Sequence, residues 1–272
     1  MSMRRRMAGL LVMGALALAG CATTQGESET PGAKPTTKPT SQSSRLMSLA
    51  ADLEQRGEWE TAITLYEQAA ALPDAPASTF VGLGDVYMRS GYPDEAMKAF
   101  RAALSRSPKY GPALVGLGWA MIDQGDTEAG IRTLSEGAQT VNTSKAYNRL
   151  GVAQTFAGQI QPAMSTFARA RALAPEDLDI QINMALAAAL ADDASQALPI
   201  VQNVMSNPGA NLQHKRNTIL IYGLLDRDSQ ARALGLTGLA TEKINTLLSQ
   251  ARTIRAQSSV QARAKALGSI EV

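Results

Sequence analysis

Cysteine and histidine are almost absent from this chain of 272 residues, which has only Cys21 and His214. A single cysteine excludes a disulfide within the chain, and a lone histidine does not supply the ligands of a zinc site. His214 stands beside Lys215 and Arg216 and is expected to be a partly exposed helix residue. The sequence also lacks a Ser-His-Asp arrangement and a glycine-rich phosphate loop. We therefore expect no catalytic residue, metal or cofactor, and we do not interpret the chain as an enzyme.

Long apolar runs and an excess of one charge are also missing. The apolar stretch at residues 7–18 is shorter than the about 20 residues that a membrane-spanning helix needs. The 26 Lys and Arg residues nearly balance the 24 Asp and Glu residues, and loss of residues 1–20 would leave 23 against 24. A balanced chain without a basic stripe argues against a nucleic-acid partner. No small-molecule substrate is predicted.

Small residues recur along the chain at an almost constant interval. One row, with steps of 33 or 34 residues, is Ala62, Ala96, Gly130, Ala163, Ala197 and Ala231. A parallel row of glycines is Gly57, Gly91, Gly125 and Gly158. Glycine can end a helix in the left-handed conformation, and a small residue lets two helices approach closely. A period of about 34 residues is typical of stacked helix-turn-helix units, and alternating runs typical of strands are absent.

Residues 43–240 resemble the tetratricopeptide repeat family. The second repeat carries the family's motif most completely, with Phe80, Leu83, Gly84, Tyr87, Ala96, Phe100, Ala103 and Pro108. Helices are predicted to close before Pro73, Pro108, Pro175 and Pro208, because proline cannot continue a helix. The resemblance implies an all-α solenoid of five to six helix-turn-helix repeats over residues 45–240. Residues 241–272 are expected to add one helix, from 241 to about 255, and a polar tail.

The start of the chain has the pattern of a secretory signal, with Arg4, Arg5 and Arg6 before the apolar stretch. The sequence Leu-Ala-Gly-Cys at residues 18–21 resembles a bacterial lipobox. This resemblance implies cleavage after residue 20 and anchoring through acyl chains on Cys21. The alternative is an ordinary signal peptide followed by an incidental thiol.

The expected location follows from the lipobox. Ala22, which follows the cysteine, resembles the signal for the outer membrane, and the protein would face the periplasm. In a bacterium with one membrane, the same motif would instead imply the cell surface. Residues 21–44 are rich in Thr, Ser, Pro, Gly and Lys and are interpreted as a disordered linker.

The family resemblance also implies a binding groove, because the first helix of each tetratricopeptide pair lines the concave side. The groove positions are Val81, Met88, Val115, Trp119, Ile122, Asn148, Val152, Phe156, Leu186 and Leu190, with the charged Asp85, Arg89, Asp123 and Lys145 alongside. We expect Trp119 and Phe156 to anchor a protein partner; the alternative is that both pack against neighbouring helices.

Some tetratricopeptide domains hold a terminal carboxylate with Lys, Asn and Arg side chains. Lys145 and Arg149 match that pattern in one repeat, but Val81, Asp85 and Gly116 stand where basic or amide residues would be needed. This favours an extended or helical partner segment in an apolar groove.

The C-terminal repeat resembles the TadD family of tight-adherence (Flp) pilus assembly lipoproteins. The similarity lies in the Pro-Gly-Ala sequence at 208–210, the basic residues before Asn217, and the Leu- and Tyr-rich residues 220–224, although residues 218–220 depart from the family's small-residue run. It implies a role in assembling or localising the pilus secretin, with the secretin or other pilus components as partners. Two alternatives remain: a scaffold that recruits cell-wall hydrolases or synthases, and an accessory lipoprotein for β-barrel assembly.

Overall fold

The computed structural model describes residues 41–235 and 238–268, and all regular secondary structure in these ranges is α-helical. The fourteen helices described are α1 (Gln42–Gln55), α2 (Trp59–Ala70), α3 (Ala77–Arg89), α4 (Pro93–Arg106), α5 (Gly111–Asp123), α6 (Thr127–Val141), α7 (Ser144–Phe156), α8 (Ile160–Leu173), α9 (Leu178–Leu190), α10 (Ala194–Ser206), α11 (Leu212–Leu224), α12 (Asp228–Ala233), α13 (Thr241–Arg255) and α14 (Val260–Leu267). The predicted signal sequence and Cys21 lie outside the described residues.

Helices α1–α12 form six consecutive antiparallel pairs, which confirms the predicted all-α solenoid. Each helix packs against the next, and the first helices of successive pairs, α1, α3, α5, α7, α9, α11 and α13, also contact one another in a row. The second helices contact their own pair and the next first helix. The row of first helices therefore forms the inner, concave side of the stack.

Proline and glycine end the helices where the sequence predicts. Helices α2, α4, α8 and α10 stop two or three residues before Pro73, Pro108, Pro175 and Pro208. The glycine row has positive φ at every position, from +74° at Gly158 to +94° at Gly125. Asp192 and Asp226 continue the row at 34-residue steps with φ of +62° and +59°. The fifth and sixth pairs therefore keep the left-handed helix ending without the glycine that would reveal it in the sequence.

Small residues lie where two helices of a pair cross. Ala62, Ala96, Ala163, Ala197 and Ala231 have no exposed surface. At Gly130 an added Cβ would lie 2.7 Å from the carbonyl oxygen of Gly118, and one at Gly118 would lie 2.5 Å from the backbone nitrogen of Leu134. Helices α5 and α6 therefore pack backbone against backbone, as the small-residue row predicts.

Two elements differ from the sequence prediction. Helix α1 begins at Gln42, inside the predicted linker, because Ser43 is buried and its hydroxyl contacts Thr79 Oγ1 at 3.3 Å. Helix α14 lies in the predicted polar tail. Its apolar residues Val260, Ala264 and Leu267 are spaced by four and three, which places them on one helix face.

Candidate partner-binding groove

The residues predicted to line the groove fall into two groups on the concave side. Five keep accessible surface: Val81, Met88, Trp119, Asn148 and Phe156. The other five are buried in the core of the free chain: Val115, Ile122, Val152, Leu186 and Leu190. Leu186 and Leu190 have no exposed surface, because α9 is enclosed by α7, α8, α10, α11 and α14. In this conformation a partner could touch the first group only.

Trp119 lies at the centre of the concave side. It extends from α5 and packs, partly exposed, against the hydrophobic clusters of both the middle and the C-terminal repeats. Beside it, Asn183 Nδ2 on α9 donates a hydrogen bond to Asn148 Oδ1 on α7 at 3.2 Å. Part of the indole therefore packs against the core, and the accessible part is a surface on which an apolar partner side chain could pack.

Charged side chains from α3 and α7 meet across the concave side of α5. Burial raises the pKa of Asp85, and the charges of Arg149 and Lys145 partly lower it. Burial, and then Arg149, lower the pKa values of Lys145 and Arg89. Arg89 also forms an ion pair with Glu54. Three cations therefore lie close enough to repel one another, next to the accessible apolar residues.

Asp123 stands on the same side at the end of α5. Burial alone raises the pKa of its carboxyl group. The open half of the concave side is thus mixed in character, with apolar side chains from α3 and α5 between acidic and basic groups. Such a surface suits a protein segment that offers both apolar and charged side chains.

His214 is buried, contrary to the sequence prediction that it is partly exposed, and its side chain has 5% of its surface exposed. Its Nδ1 accepts a hydrogen bond from the backbone N–H of Asn211, so Nε2 carries the proton and donates to Asp179 Oδ1 at 2.8 Å. The Asn211 side chain in turn accepts from the backbone N–H of His214, which completes a capping box. His214 therefore helps to cap the N-terminus of α11 and links this helix to α9 through its hydrogen bond with Asp179.

Within the described ranges, no group of three His, Cys, Asp or Glu side chains could hold a metal ion. No helix of the described part is both long and apolar enough to cross a bilayer.

Comparison with known proteins agrees with this geometry. Residues 46–261 match the model of the cilia and flagella-associated protein 70 middle TPR-like domain, where TPR stands for tetratricopeptide repeat. The chain belongs to this TPR-like family. A curated relative, the CTR9 homolog protein of Arabidopsis thaliana, is 24% identical over 143 residues, which are 52% of this chain. The match spans only 13% of that relative's length.

Solved structures of low identity share the fold. Pseudomonas aeruginosa pilF is 17% identical, with a TM-score of 0.62 over 76% of this chain and 97% of that one. A tetratricopeptide repeat protein from Parabacteroides merdae is 15% identical, with a TM-score of 0.61 over 78% and 86%. A TPR protein of Thermus thermophilus is 16% identical, with a TM-score of 0.57 over 66% and 98%. These likenesses show that the TPR-like chain shares the repeat fold of the three proteins.

One part of the concave side was not predicted from the sequence. Helix α14 folds back onto the ends of α7 and α9, and the aromatic ring of Phe156 lies against its C-terminal residue Gly268. The only sequence signal is the spacing of Val260, Ala264 and Leu267, which indicates a helix but not the place where it docks. The accessible groove is therefore shorter than the row of first helices.

Proposed function

We propose that this TPR-like protein is a scaffold that binds a protein segment on the open half of its concave side. The observation that carries the proposal is the partly exposed Trp119 on α5. Helix α5 contacts both α3, which bears the apolar Val81 and Met88, and α7, which bears the cations Lys145 and Arg149. An aromatic residue set among apolar neighbours and charged groups is the common composition of a binding hot spot.

We further propose the setting in which this scaffold works. Its acylated Cys21 would anchor it to the outer membrane, facing the periplasm, and its partner would be the secretin or another assembly component of a Flp-type pilus. Support for the anchor is the lipobox-like sequence at residues 18–21, and support for the pilus is the TadD-like sequence of the last repeat. Both rest on sequence resemblance.

The anchor is tested with Cys21→Ser. We expect this variant to lose its acyl chains and to leave the outer-membrane fraction, because those chains are the proposed anchor and no helix of the described ranges can span a bilayer. Thr24→Ser, which lies beyond both the lipobox and Ala22, is the matched control and should fractionate like the wild type. Outer-membrane partition of the Cys21→Ser variant would contradict the proposed anchor.

The binding surface is tested with Trp119→Ala in the full chain. We expect capture of pilus components from the native cell to weaken by about 1–4 kcal/mol, the range of an interface hot spot. Leu173→Ala is the control, since Leu173 is 46% exposed on a second helix of the stack, away from the concave side. Circular dichroism separates lost binding from lost packing.

The cellular outcome decides between the candidate settings. Cells that carry the Trp119→Ala variant should mislocalise the secretin and make fewer surface pili, while other envelope proteins remain normal. Wall defects without a pilus phenotype would overturn the pilus assignment in favour of a scaffold for cell-wall enzymes. A general loss of β-barrel proteins would instead indicate the β-barrel assembly role.

A further inference from the structure

Helix α14 does not continue the solenoid. In chain order it follows α13 as the second helix of a seventh pair would, yet besides α13 it contacts α7 and α9, the first helices of the fourth and fifth pairs. The chain between α13 and α14, residues 256–259, is long enough to let α14 turn back. One helix of this chain thus lies against the ends of inner helices in repeats that precede it.

The docking place of α14 is formed by the C-terminal ends of two inner helices. An added Cβ at Gly158, just after α7, would lie 2.9 Å from Cβ of Gln261, so only glycine leaves room for the backbone of α14. Arg263 Nη1 donates a hydrogen bond to the carbonyl oxygen of Leu190, the last residue of α9, at 3.2 Å. That carbonyl belongs to a helix end, where backbone oxygens have no partner within the helix and attract cations.

The apolar side of α14 faces the same place. Ala264 and Leu267 have no exposed surface and belong to the hydrophobic cluster that contains Leu186 and Leu190. Phe156 packs at the edge of this cluster, 3.1 Å from the position of an added Cβ on Gly268. The site therefore fits a short helix that begins with an apolar residue. Such a helix has a small residue four positions later and a leucine seven positions later.

Helix α14 is held less firmly than α13. It contributes two fully buried apolar residues, Ala264 and Leu267, whereas five residues of α13 are buried. Because burial of apolar surface supplies most of the attachment, α14 can leave the ends of α7 and α9 at a smaller cost than α13 can leave α11.

We propose that the ends of α7 and α9 form a helix-binding site, which α14 occupies in the free chain and yields to an amphipathic helix of the protein partner. The partner helix carries the α14 pattern: an apolar residue, alanine at i+4, leucine at i+7, and an arginine at i+3 for the Leu190 carbonyl. This inference rests on the proposed scaffold function and names the kind of segment that the scaffold takes.

The test uses a fluorescent peptide with the sequence of residues 258–268 and the full chain. In the wild type, tethered α14 competes at an effective concentration on the order of millimolar, so the free peptide should bind poorly. Leu267→Glu in the protein puts a charge where α14 is buried and should release the helix. We then expect the peptide to bind this variant at least about tenfold tighter than the wild type, a difference of about 1.4 kcal/mol.

Matched controls locate the binding. Ser258→Glu, at an exposed position of the link, should behave like the wild type. Adding Phe156→Ala to Leu267→Glu should remove the gain, and a peptide that carries the leucine-to-glutamate change should not bind. Equal peptide binding by the wild type and the Leu267→Glu variant would overturn the proposal.

A second variant covers the case in which Leu267→Glu fails to fold. Arg263→Ala removes the hydrogen bonds to the carbonyl oxygens of Leu190 and Gln257 without adding a charge, and amide exchange should then rise only in α14 and in the link before it. Unchanged amide exchange in α14 would overturn the proposal. A wild-type dimer whose two copies exchange their α14 helices would also overturn it, because the site would then bind a second copy of this chain. If the peptide tests fail while Trp119→Ala still mislocalises the secretin, this inference is lost and the proposed function stands.

Discussion

At the scale of single residues, small side chains decide how closely the helices pack. Ala163 has no exposed surface and lies in the cluster that contains Phe167, Leu186 and Leu190. Phe167 itself fits against Gly151, where an added Cβ would lie 2.6 Å from the ring. The space beside a small residue of one helix is thus filled by a large side chain of the helix packed against it.

Replacing Ala163 by Leu should therefore destabilise the chain by about 1–3 kcal/mol, because the added carbons have no space to occupy. A thermal or urea melt measures the loss. Ala168→Leu is the matched control on the same helix, since Ala168 is exposed. Equal melts for both variants would contradict the packing described for α8.

The phenol of Tyr87 has a pKa raised above its ordinary value. Burial, a hydrogen bond at 2.5 Å to Glu67, and the charges of Glu67 and Glu95 raise the pKa of its phenol to about 12. Because the folded chain holds this proton more tightly than the unfolded chain, the associated stability is fully present below pH 10 and is lost as the pH rises to about 12.

An ultraviolet titration of the tyrosines should show one group that ionises near pH 12, and Tyr87→Phe should remove it. Glu67→Gln should lower the pKa of Tyr87, because it removes both the hydrogen-bonding carboxylate and its charge. If Tyr87→Phe removed a group that ionises near pH 10 and not one near pH 12, the phenol would not be perturbed.

At the scale of the helices, the turn between the two helices of a pair is set by one residue in the left-handed conformation. Gly91 and Gly125 have no atoms within 4 Å of an added Cβ, so substitution there acts on the backbone alone. Asp192 and Asp226 hold the same conformation in the later pairs. Asp and Asn visit this region more readily than other residues with a side chain.

Gly125→Ala should cost about 1–2 kcal/mol, the strain of a left-handed residue with a Cβ. Gly125→Asn should cost clearly less, because its side chain tolerates this region. Denaturant melts of the two variants give the comparison. If alanine and asparagine were equally well tolerated, the backbone at this turn would differ from the one described.

The glycine row also shows how far the sequence predicts the elements. It identifies four turns directly, but the aspartates of the last two turns carry no such signal, since aspartate is common in ordinary helix starts as well. The buried His214 was missed for a similar reason. Its capping box is local, but its partner Asp179 lies 35 residues away, and no periodicity marks that pairing.

At the scale of the whole molecule, stability passes along the stack through neighbouring pairs. Helix α13 closes the C-terminal end, where Leu247, Leu248 and Ala251 are fully buried and pack against α11. An added Cβ at Gly223 of α11 would lie 2.6 Å from the methyl group of Ala251. Helix α11 of the last pair is thus packed closely against α13.

Leu247→Ala should destabilise this end by about 2–5 kcal/mol, the cost of truncating a buried leucine. Amide exchange should rise first in α11–α13 and least in α1–α4, because each pair contacts only its neighbours. Ser249→Ala, exposed on the same helix, is the control. Uniform loss of protection along the chain would show that the stack unfolds as one unit.

The sequence by itself determined the repeating elements of this protein. The 34-residue period, the glycine and alanine rows and the prolines act within one helix pair, so residues close in the chain carry the information for them. The tertiary structure decided which concave residues stay accessible, how Arg89 and Arg149 come together, and where α14 docks. These depend on contacts between distant segments, such as Arg263 with Leu190, which are 73 residues apart. The spacing of apolar residues makes α14 a helix, but its docking place depends on these contacts with distant segments.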